Sequence, residues 1–383
     1  MTSAFSRRNL LQLAGAAAIL RTGIVTAQQR RGGFPGSRGG SAPPIPFPEL
    51  AKRSNVALIS GDDRRKNVYN ALMAIDKELQ SKLENKKYVV IKPNNVSATN
   101  QLASTHLDAL RGIIDYVSER FKGPVVIAES SAAETLQAFE NFNYNRLVAE
   151  YPQQKIELVD LNQEAKYEML ALLDADLQIA PVRLAARLFD PDAFVICSAM
   201  LKTHNALIAT LSVKNMVLGA PLHQAPGEIP RWNDKRKFHV GLRQMHYNVM
   251  VTAQKMQPYW GATLIDGFEG MEGNGPSSGT PVNSRFAIAS TDYIAADRVG
   301  IEAMGIDPEW MGYLKYCGQI GLGQYDLSKI DILGVSLAEV KKSYRLHSDI
   351  ERELQWRGPM EELPFNLGWI TPSSESCSEY LFG

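Results

Sequence analysis

AFVICSAMLKTHNALIATLSVKNMVLGAP, residues 193–221, joins a strand-like apolar run to several buried-looking polar side chains. Residues 193–199 are apolar and partly β-branched, which is typical of a buried strand. The apolar character continues to residue 221, and polar side chains interrupt it at Lys202, His204, Asn205, Ser212, Lys214 and Asn215. Because an unpaired polar group in an apolar interior costs several kcal/mol, these side chains must satisfy one another or contact a ligand.

Apolar runs followed by helix-like stretches recur along the chain. The further apolar runs lie at 55–60, 88–91, 124–128, 156–159, 262–265, 285–290 and 330–334. Helical patterns lie at 67–83, 105–121, 133–149, 293–304 and 336–342. This alternation predicts an α/β fold with a mostly parallel central sheet and helices on both faces.

Polar side chains follow most of the predicted strands. The main ones are Lys92, Asn94, Glu129, Lys202, His204 and Asp266. In open parallel sheets, ligands bind beyond the carboxyl ends of the strands, near the point where the strand order reverses. We therefore predict one polar crevice at this edge of the sheet. For Asp62, Asp160 and Asp292, which occupy similar positions, helix capping or solvation is the ordinary explanation.

The second half of the opening segment is interpreted as a buried helix over 205–218. At about 100° per residue, four polar side chains fall on one stripe of this helix: His204, Asn205, Ser212 and Asn215. Lys214 points away from that stripe, and the remaining positions are apolar all round, which indicates burial. The stripe faces either a shared ligand or an internal hydrogen-bond network.

Charge balance makes the same segment a candidate anion site. Lys202, His204 and Lys214 are donors or potential cations, and they repel one another unless negative charge is nearby. Glu129 or the acidic residues of 264–281 could supply that charge. A phosphate or carboxylate ligand could supply it equally well.

Residues 264–281, LIDGFEGMEGNGPSSGTP, form a glycine-rich acidic stretch. Glycine lets backbone groups approach a ligand closely, and carboxylate and carbonyl oxygens suit a hard divalent cation. Asp266 and Glu272 are therefore predicted metal ligands and Asn274 a ligand-binding residue. A flexible surface loop is the alternative. The chain carries no phosphate-loop, dinucleotide-binding or zinc-protease motif.

Composition narrows the class of protein. The 383 residues include 41 basic and 41 acidic side chains, and this neutral balance argues against a dedicated nucleic-acid binder. The three cysteines, Cys197, Cys317 and Cys377, lie far apart, so an iron–sulfur cluster or a four-cysteine zinc site is not expected. One disulfide could form, and the sequence does not say which.

The N-terminus resembles an export signal. Residues 1–27 contain SRRNL and a modest apolar stretch, and they resemble a twin-arginine signal peptide, with the twin-arginine export machinery as a partner. A buried first helix is the alternative interpretation. Residues 28–51 are rich in Gly, Pro and Arg and are predicted to be a flexible linker before a single domain at 52–383. No later run reaches the length of a membrane span, so we expect a periplasmic or secreted protein without an integral span.

Several motifs, taken in order, are similar to those of a known family. They are VVIKPNN, STHLDALRGIIDYV, VVIAESS, LKTH, TLSVKNMVLGAP, IDGFEGMEGNGPSSG and STDYIAADRVG. Together they resemble the domain-of-unknown-function family numbered 362 over residues 89–334. The resemblance marks these motif positions: Lys92, Asn94, Glu129, Lys202, His204, Lys214, Asn215, Asp266, Glu272 and Asn274. Some relatives in that family carry ferredoxin-type iron–sulfur motifs, which this sequence lacks.

Two functional hypotheses follow from these observations. The first is an enzyme that acts on an anionic small molecule, in which Lys92 and Lys202 neutralise substrate charge and His204 moves a proton. Asn94, Glu129, Lys214, Asn215 and Asn274 would bind the ligand, and a divalent metal on Asp266 and Glu272 would complete the site. The alternative is a non-catalytic periplasmic binding protein for a metal or an anionic ligand.

Overall fold

The computed structural model describes residues 45–225 and 229–358 of the chain. The described residues from Pro46 onward group into one compact unit. The predicted signal peptide, 1–27, lies outside the described residues, as does most of the predicted linker, 28–51. Residues 45–51 are described and form no helix or strand.

The strands are named in chain order. They are β1 (Ser54–Ser60), β2 (Tyr88–Lys92), β3 (Val125–Glu129), β4 (Ile156–Asp160), β5 (Tyr167–Leu173), β6 (Ile179–Ala185), β7 (Ala193–His204), β8 (Ile208–Thr210), β9 (Trp260–Glu272), β10 (Thr280–Ser290) and β11 (Ile330–Gly334). The helices are α1 (Arg64–Ala74), α2 (Asp76–Leu83), α3 (Leu107–Arg120), α4 (Thr135–Asn141), α5 (Arg146–Glu150), α6 (Ser212–Gly219), α7 (Leu242–Met256), α8 (Tyr293–Ala303), α9 (Gly312–Gln319), α10 (Leu337–Val340) and α11 (Ile350–Glu353).

Within the described residues, a central sheet of nine strands has the order β11-β1-β10-β9-β7-β2-β3-β4, and β8 pairs with the end of β7. The run β9-β7-β2-β3-β4 is parallel throughout. β10 is antiparallel to both of its neighbours, and β1 is parallel to β11. From β2 the chain steps outward to β3 and β4, and it then returns to the other side of β2 as β7. The strand order therefore reverses between β2 and β7, which is where α/β sheets hold their ligands.

Helices cover both faces of the sheet, as the sequence predicts. One face packs α1 to α5 against side chains such as Val89 and Ile127. The other face packs α6 to α9 against side chains such as Val90 and Val195. The α/β prediction with a mostly parallel sheet is confirmed, because the apolar runs between helices are buried on both sides.

The predicted helix at 205–218 is wrong in its first half. β7 continues to His204, the chain turns, and β8 runs back along β7 before α6 begins. The His204 side chain makes this turn possible, because its Nδ1 accepts hydrogen bonds from the backbone N–H groups of Ala206 and Leu207. Ile208 adopts a left-handed φ of 68°, and its N–H donates to the buried Glu353 at 2.8 Å. The predicted polar stripe therefore does not exist as one helical face.

Helix α6 begins at Ser212 because a carboxylate from α8 caps it. Asp297 accepts hydrogen bonds from the backbone N–H groups of Ser212 and Val213, at 2.8 and 3.0 Å, and from the Ser212 hydroxyl. A buried carboxylate at this position satisfies N–H groups that have no partner within the helix and complements the helix dipole. Burial raises the pKa of Asp297 to about 7, against the opposing effect of these hydrogen bonds.

The predicted loop at 264–281 is mostly a β-hairpin. β9 extends through Glu272, and only 273–279 turn before β10 begins. The hairpin pairs Asp266 with Ala287 and Glu272 with Thr280. Its tip lies against β7, where a Cβ at Gly275 would lie 2.1 Å from the Thr203 carbonyl oxygen. The glycines here allow close backbone packing and do not indicate a loose loop.

Several helix boundaries also differ from the prediction. The predicted helix 67–83 is interrupted at Ile75, and the predicted helix 133–149 is interrupted at 142–145. The last predicted helix, 336–342, shortens to α10. The hairpin β5–β6 and helices α7 and α9 were not predicted. Most side chains of β5 are partly or fully exposed, so its sequence lacks the regular alternation of apolar and polar residues that predicts a strand. Among the helices of the described residues, none is long and apolar enough to cross a bilayer.

Candidate functional site

Two adjacent parallel strands end in a buried ion pair. Lys92 is the last residue of β2 and Glu129 the last residue of β3, and Lys92 Nζ donates to Glu129 Oε2 at 2.9 Å. Their residues are 0% and 2% exposed. Backbone N–H groups of Ser130 and Asn95 donate to the two carboxylate oxygens at 2.9 and 3.3 Å. The pair is thus held at the strand ends, at the predicted edge of the sheet.

Asn215 of α6 ties this pair to β7. Its Oδ1 accepts from Lys92 Nζ at 2.9 Å and from Asn94 Nδ2 at 3.0 Å. Its Nδ2 donates to the Ser198 carbonyl oxygen at 3.3 Å. The predicted ligand-binding residues Asn94, Glu129 and Asn215 therefore do meet around Lys92.

Gly219, the last residue of α6, leaves the space that Lys92 occupies. A Cβ at this position would lie 2.1 Å from Lys92 Cε, 2.2 Å from Lys92 Nζ and 3.0 Å from Glu129 Oε1. Real Cβ atoms do not approach that closely, so a larger residue would displace the lysine. Sequence analysis missed this role of Gly219.

Three further lysines are buried near the ion pair, and the four together are called here the lysine cluster: Lys92, Lys202, Lys214 and Lys235. Lys202 projects from β7 and donates to the Ala103 carbonyl oxygen at 2.9 Å. Lys235 lies in a short 3-10 turn and donates to the Leu218 carbonyl oxygen at 3.1 Å. Among the described residues, no atom accepts a hydrogen bond from Lys214 Nζ.

Positive charge in the lysine cluster outweighs negative charge. Burial lowers the pKa of Lys202 well below its ordinary value, and the charges of Lys214 and Lys92 lower it further. Burial and the charge of Lys92 lower the pKa of Lys214 to about 7, against the opposing effect of Glu129. Burial likewise lowers the pKa of Lys235 to about 7, with Glu129 and Asp160 opposing. Without a bound anion, the cluster relieves its charge by losing protons.

Two histidines lie close enough to feel these charges. His204 Nδ1 accepts two backbone N–H groups, so the ring hydrogen lies on Nε2. Burial and the charge of Lys214 lower the pKa of His204 well below its ordinary value, and the ring stays neutral. In this form His204 is a hydrogen-bond donor, while its predicted role in moving a proton stays a prediction. The exposed His239 donates from Nδ1 to the Lys235 carbonyl oxygen at 3.0 Å, which leaves Nε2 as an acceptor.

Residues that contact the site, or lie next to it in the chain or in strand pairing, carry buried polar atoms that have no partner in the described part of the chain. They are Asn94 Oδ1, Asn95 Nδ2, Ser131 Oγ, Ser198 Oγ and Thr210 Oγ1. Most buried polar side-chain atoms find a hydrogen-bond partner in proteins. Thr210 lies opposite Lys202 in the β7–β8 pairing, and Ser131 follows Glu129 by two positions. The region that carries excess positive charge therefore also has polar atoms available to hydrogen-bond a ligand.

The predicted metal ligands lie apart from one another. Asp266 Oδ2 lies 3.2 Å from Arg64 Nε, and Glu272 Oε1 lies 3.7 Å from Arg345 Nε. Each of the two acids thus lies beside a different arginine, and their joint role as metal ligands stays a prediction. Within 45–225 and 229–358, no group of three or more His, Cys, Asp or Glu side chains is arranged to hold a metal ion.

Asn274, a predicted ligand-binding residue, is not among the groups that hydrogen-bond around Lys92. It is exposed at the tip of the β9–β10 hairpin, and its Oδ1 accepts from the Ser348 N–H at 3.1 Å. Sequence analysis missed Lys235, because the segment 230–247 reads as a polar surface rich in Arg and Lys. No sequence signal showed that this one lysine turns inward. Cys197 and Cys317 are both buried free thiols, and Cys377 lies outside the described residues.

Comparison with known proteins gives a family and partial matches to other proteins. Residues 89–302 match a family whose description is "Domain of unknown function (DUF362)". A thylakoid-associated protein of Synechocystis sp. is 29% identical over 143 residues, which are 37% of this chain and 41% of that protein. A crystal structure of a Thermotoga maritima protein matches 54% of this chain and 51% of its own chain, with a TM-score of 0.37 and 8% identity.

Proposed function

Because this chain belongs to the family described as a domain of unknown function (DUF362), whose description names no activity, we propose a function from the site itself. The chain binds an anionic small molecule at the lysine cluster and acts on it as an enzyme. One observation carries this proposal: four lysines are buried together, and within the described residues only one of them, Lys92, donates a hydrogen bond to a carboxylate, that of Glu129.

The roles follow from the contacts of each side chain. Lys92 is held by Glu129 and Asn215 and forms the fixed part of the site. Lys202, Lys214 and Lys235 supply positive charge that the protein balances only partly. An anion placed among them would favour their protonated forms, so its binding takes up protons near neutral pH. The donor Nε2 of His204 and the unpartnered atoms around the cluster would complete its hydrogen bonds.

The non-catalytic alternative uses the same residues. A binding protein would hold the anion and release it unchanged, and a lysine with a depressed pKa then has no chemical task. Depressed lysine pKa values are typical of catalytic sites, and this favours the enzyme. The metal that the sequence predicts stays an open part of this proposal, to be decided by elemental analysis.

The test is the analysis of what the protein retains. Protein purified from its native source under non-denaturing conditions is extracted and examined by mass spectrometry for small anions and by elemental analysis for metals. We expect a small anion at near-stoichiometric amounts in the wild type and its loss in Lys202→Met and His204→Asn. Asparagine at position 204 preserves an acceptor for the turn amides and removes the ring donor.

A matched control is Lys82→Met. Like Lys202, Lys82 donates hydrogen bonds only to backbone carbonyl oxygens, in this case those of Gly261 and Thr291. These two residues lie at the start of β9 and after the end of β10, at the opposite edge of the sheet from the lysine cluster. Retention should be unchanged in this variant. Equal retention in all four proteins, or none in the wild type, would remove the support for an anion site.

The proposed location is outside the cytoplasm. It rests on the resemblance of residues 1–27 to a twin-arginine signal. Fractionation of cells that express the full chain should find the protein in the periplasm or medium. The double variant Arg7→Lys/Arg8→Lys should accumulate in the cytoplasm, and export that is equal in both proteins would argue against this route.

A further inference from the structure

Lys214 differs from the other members of the lysine cluster in the contacts of its amine. The other three amines donate to protein oxygens, those of Glu129, Asn215, Pro93, Ala103 and Leu218. Lys214 Nζ donates to none within the described part of the chain. The residue nonetheless keeps 6% of its surface accessible, whereas Lys202 keeps 0%. Its nitrogen lone pair is thus the one that no internal hydrogen bond orients.

Several charged or titratable side chains interact electrostatically with Lys214. Lys92 and Glu129 act on its charge, and its own charge acts on Lys202, Lys235, His204 and His239. Burial is the largest effect and Lys92 the next, and together they lower the pKa of Lys214 to about 7. A lysine that is desolvated and next to another cation is the arrangement that activates an amine as a nucleophile.

We propose that Lys214 forms an imine with an aldehyde or ketone that carries a carboxylate or phosphate group. This inference rests on the proposed anion site, because the anionic group of the same molecule is bound by Lys202 and Lys235. It adds the nucleophile and the chemical class of the substrate. The three N–H groups of Lys92 are already donated to Pro93, Glu129 and Asn215, so Lys92 acts on the site through its charge.

The step balances without a further reactant. The neutral Lys214 amine attacks the carbonyl carbon, an N–C bond forms, and the π-electron pair moves to the carbonyl oxygen. That oxygen then leaves as water with both amine hydrogens, and a C=N bond remains. The only product besides the imine is water, so no oxidant or reductant is needed.

The experiment traps this imine in the intact protein. Wild-type protein is incubated with glyoxylate, an aldehyde that carries a carboxylate, and with cyanoborohydride, and the modified lysines are mapped by mass spectrometry of peptides. At pH 7 a lysine with a pKa near 7 has roughly a thousandfold more neutral amine than an ordinary lysine. Since lower basicity also lowers nucleophilicity, we expect Lys214 to be labelled about tenfold or more faster than the exposed Lys66.

The rate profile identifies the reacting group without any variant. Labelling of Lys214 should rise with pH around a midpoint near 7, whereas an ordinary lysine has its midpoint near 10. Lys214→Arg keeps the positive charge but has no amine that can form an imine, so this variant should lose the label. A Lys214 rate equal to that of Lys66, a midpoint near 10, or trapping at another cluster lysine would overturn the imine proposal.

The two proposals fail in different ways. If the wild type retains an anion but Lys214 reacts no faster than Lys66, the imine proposal fails and the anion site stands. If no anion is retained and excess phosphate or sulfate does not slow the labelling of Lys214, the anion site fails. Protection of Lys214 by either anion supports both.

Discussion

The lysine cluster and the β9–β10 hairpin hold their charges in opposite ways. In the lysine cluster, several buried amines share Glu129, and Lys214 and Lys235 respond with pKa values near 7. In the hairpin, Asp266 and Glu272 each lie beside one arginine. A charge that is balanced inside the protein requires no ligand, whereas buried excess charge must be lost as protons or balanced by an anion.

The comparison separates two kinds of conspicuous sequence motif. The acidic glycine-rich hairpin has the composition of a metal loop, yet its acids are used in packing and ion pairs. Lys92 and Lys202, near the ends of β2 and β7, lie where the strand order reverses. Glu129 pairs with Lys92, whereas Lys202 donates only to a backbone carbonyl oxygen. Position in the topology, and not residue type alone, distinguishes the candidate site.

The largest expected effect is the loss of Lys92. Lys92→Met leaves Glu129 buried without its hydrogen-bonded cation, and breaking a buried pair in this way costs about 3–5 kcal/mol. Urea unfolding should show a decrease of this size in the free energy of unfolding. The double variant Lys92→Met/Glu129→Gln should recover part of it, because the uncompensated charge is removed. A double variant that is less stable than the single one would contradict the assigned pair.

Next in size is the close approach at Gly219. Gly219→Ala places a methyl group on Lys92 Cε and Nζ, and overpacking of this kind costs about 1–3 kcal/mol. Gly300→Ala in α8 is the control, because its Cβ would lie 3.3 Å from its nearest neighbour, a Leu211 methyl carbon. If both variants have the same free energy of unfolding, the packing of Lys92 against α6 is not as described.

The third effect concerns pH. The pKa of Lys214 is about 7 in the folded chain and near 10.5 when unfolded, so the unfolded state binds more protons between these values. Stability of the ligand-free protein should therefore rise with pH, by about 1 kcal/mol per lysine between pH 7 and 8. Lys214→Met should make this rise smaller. An identical pH dependence of the unfolding free energy in both proteins would contradict the depressed pKa.

The smallest effect belongs to the hairpin. Glu272→Gln removes an ion pair with Arg345, whose side chain is 60% exposed, and such pairs contribute about 0–1 kcal/mol. The free energy of unfolding should change by no more than this, and anion retention should be unchanged. If this substitution abolishes retention, the hairpin belongs to the site and the contrast with the lysine cluster is wrong.

The sequence predicted the sheet and part of the site for the same physical reason. Apolar runs between helices can be buried only as strands of a covered sheet, and their parallel arrangement places Lys92 and Glu129 at one edge. Both residues end their strands at this edge, and they form an ion pair there that the sequence analysis did not specify. Their placement at one edge follows from the parallel strands alone and requires no knowledge of side-chain packing.

The remainder depends on contacts between distant parts of the chain. The helix predicted at 205–218 fails because Glu353 and the side chain of His204 satisfy the backbone of a turn. The start of α6 depends on Asp297, which lies 85 positions after Ser212. Lys235 points inward because the Leu218 carbonyl oxygen at the end of α6 accepts its hydrogen bond. Local periodicity carries no information on such partners.

The central claim is that excess positive charge in the lysine cluster is balanced by a bound anion. The most direct measurement is thermal unfolding at pH 7 in millimolar chloride, sulfate, phosphate and citrate at constant ionic strength, for the wild type and for Lys214→Met/Lys235→Met. The account predicts that the multivalent anions raise the melting temperature of the wild type above its value in chloride, and that the double variant largely loses this increase. Equal stabilisation of both proteins, or none of the wild type, would contradict it.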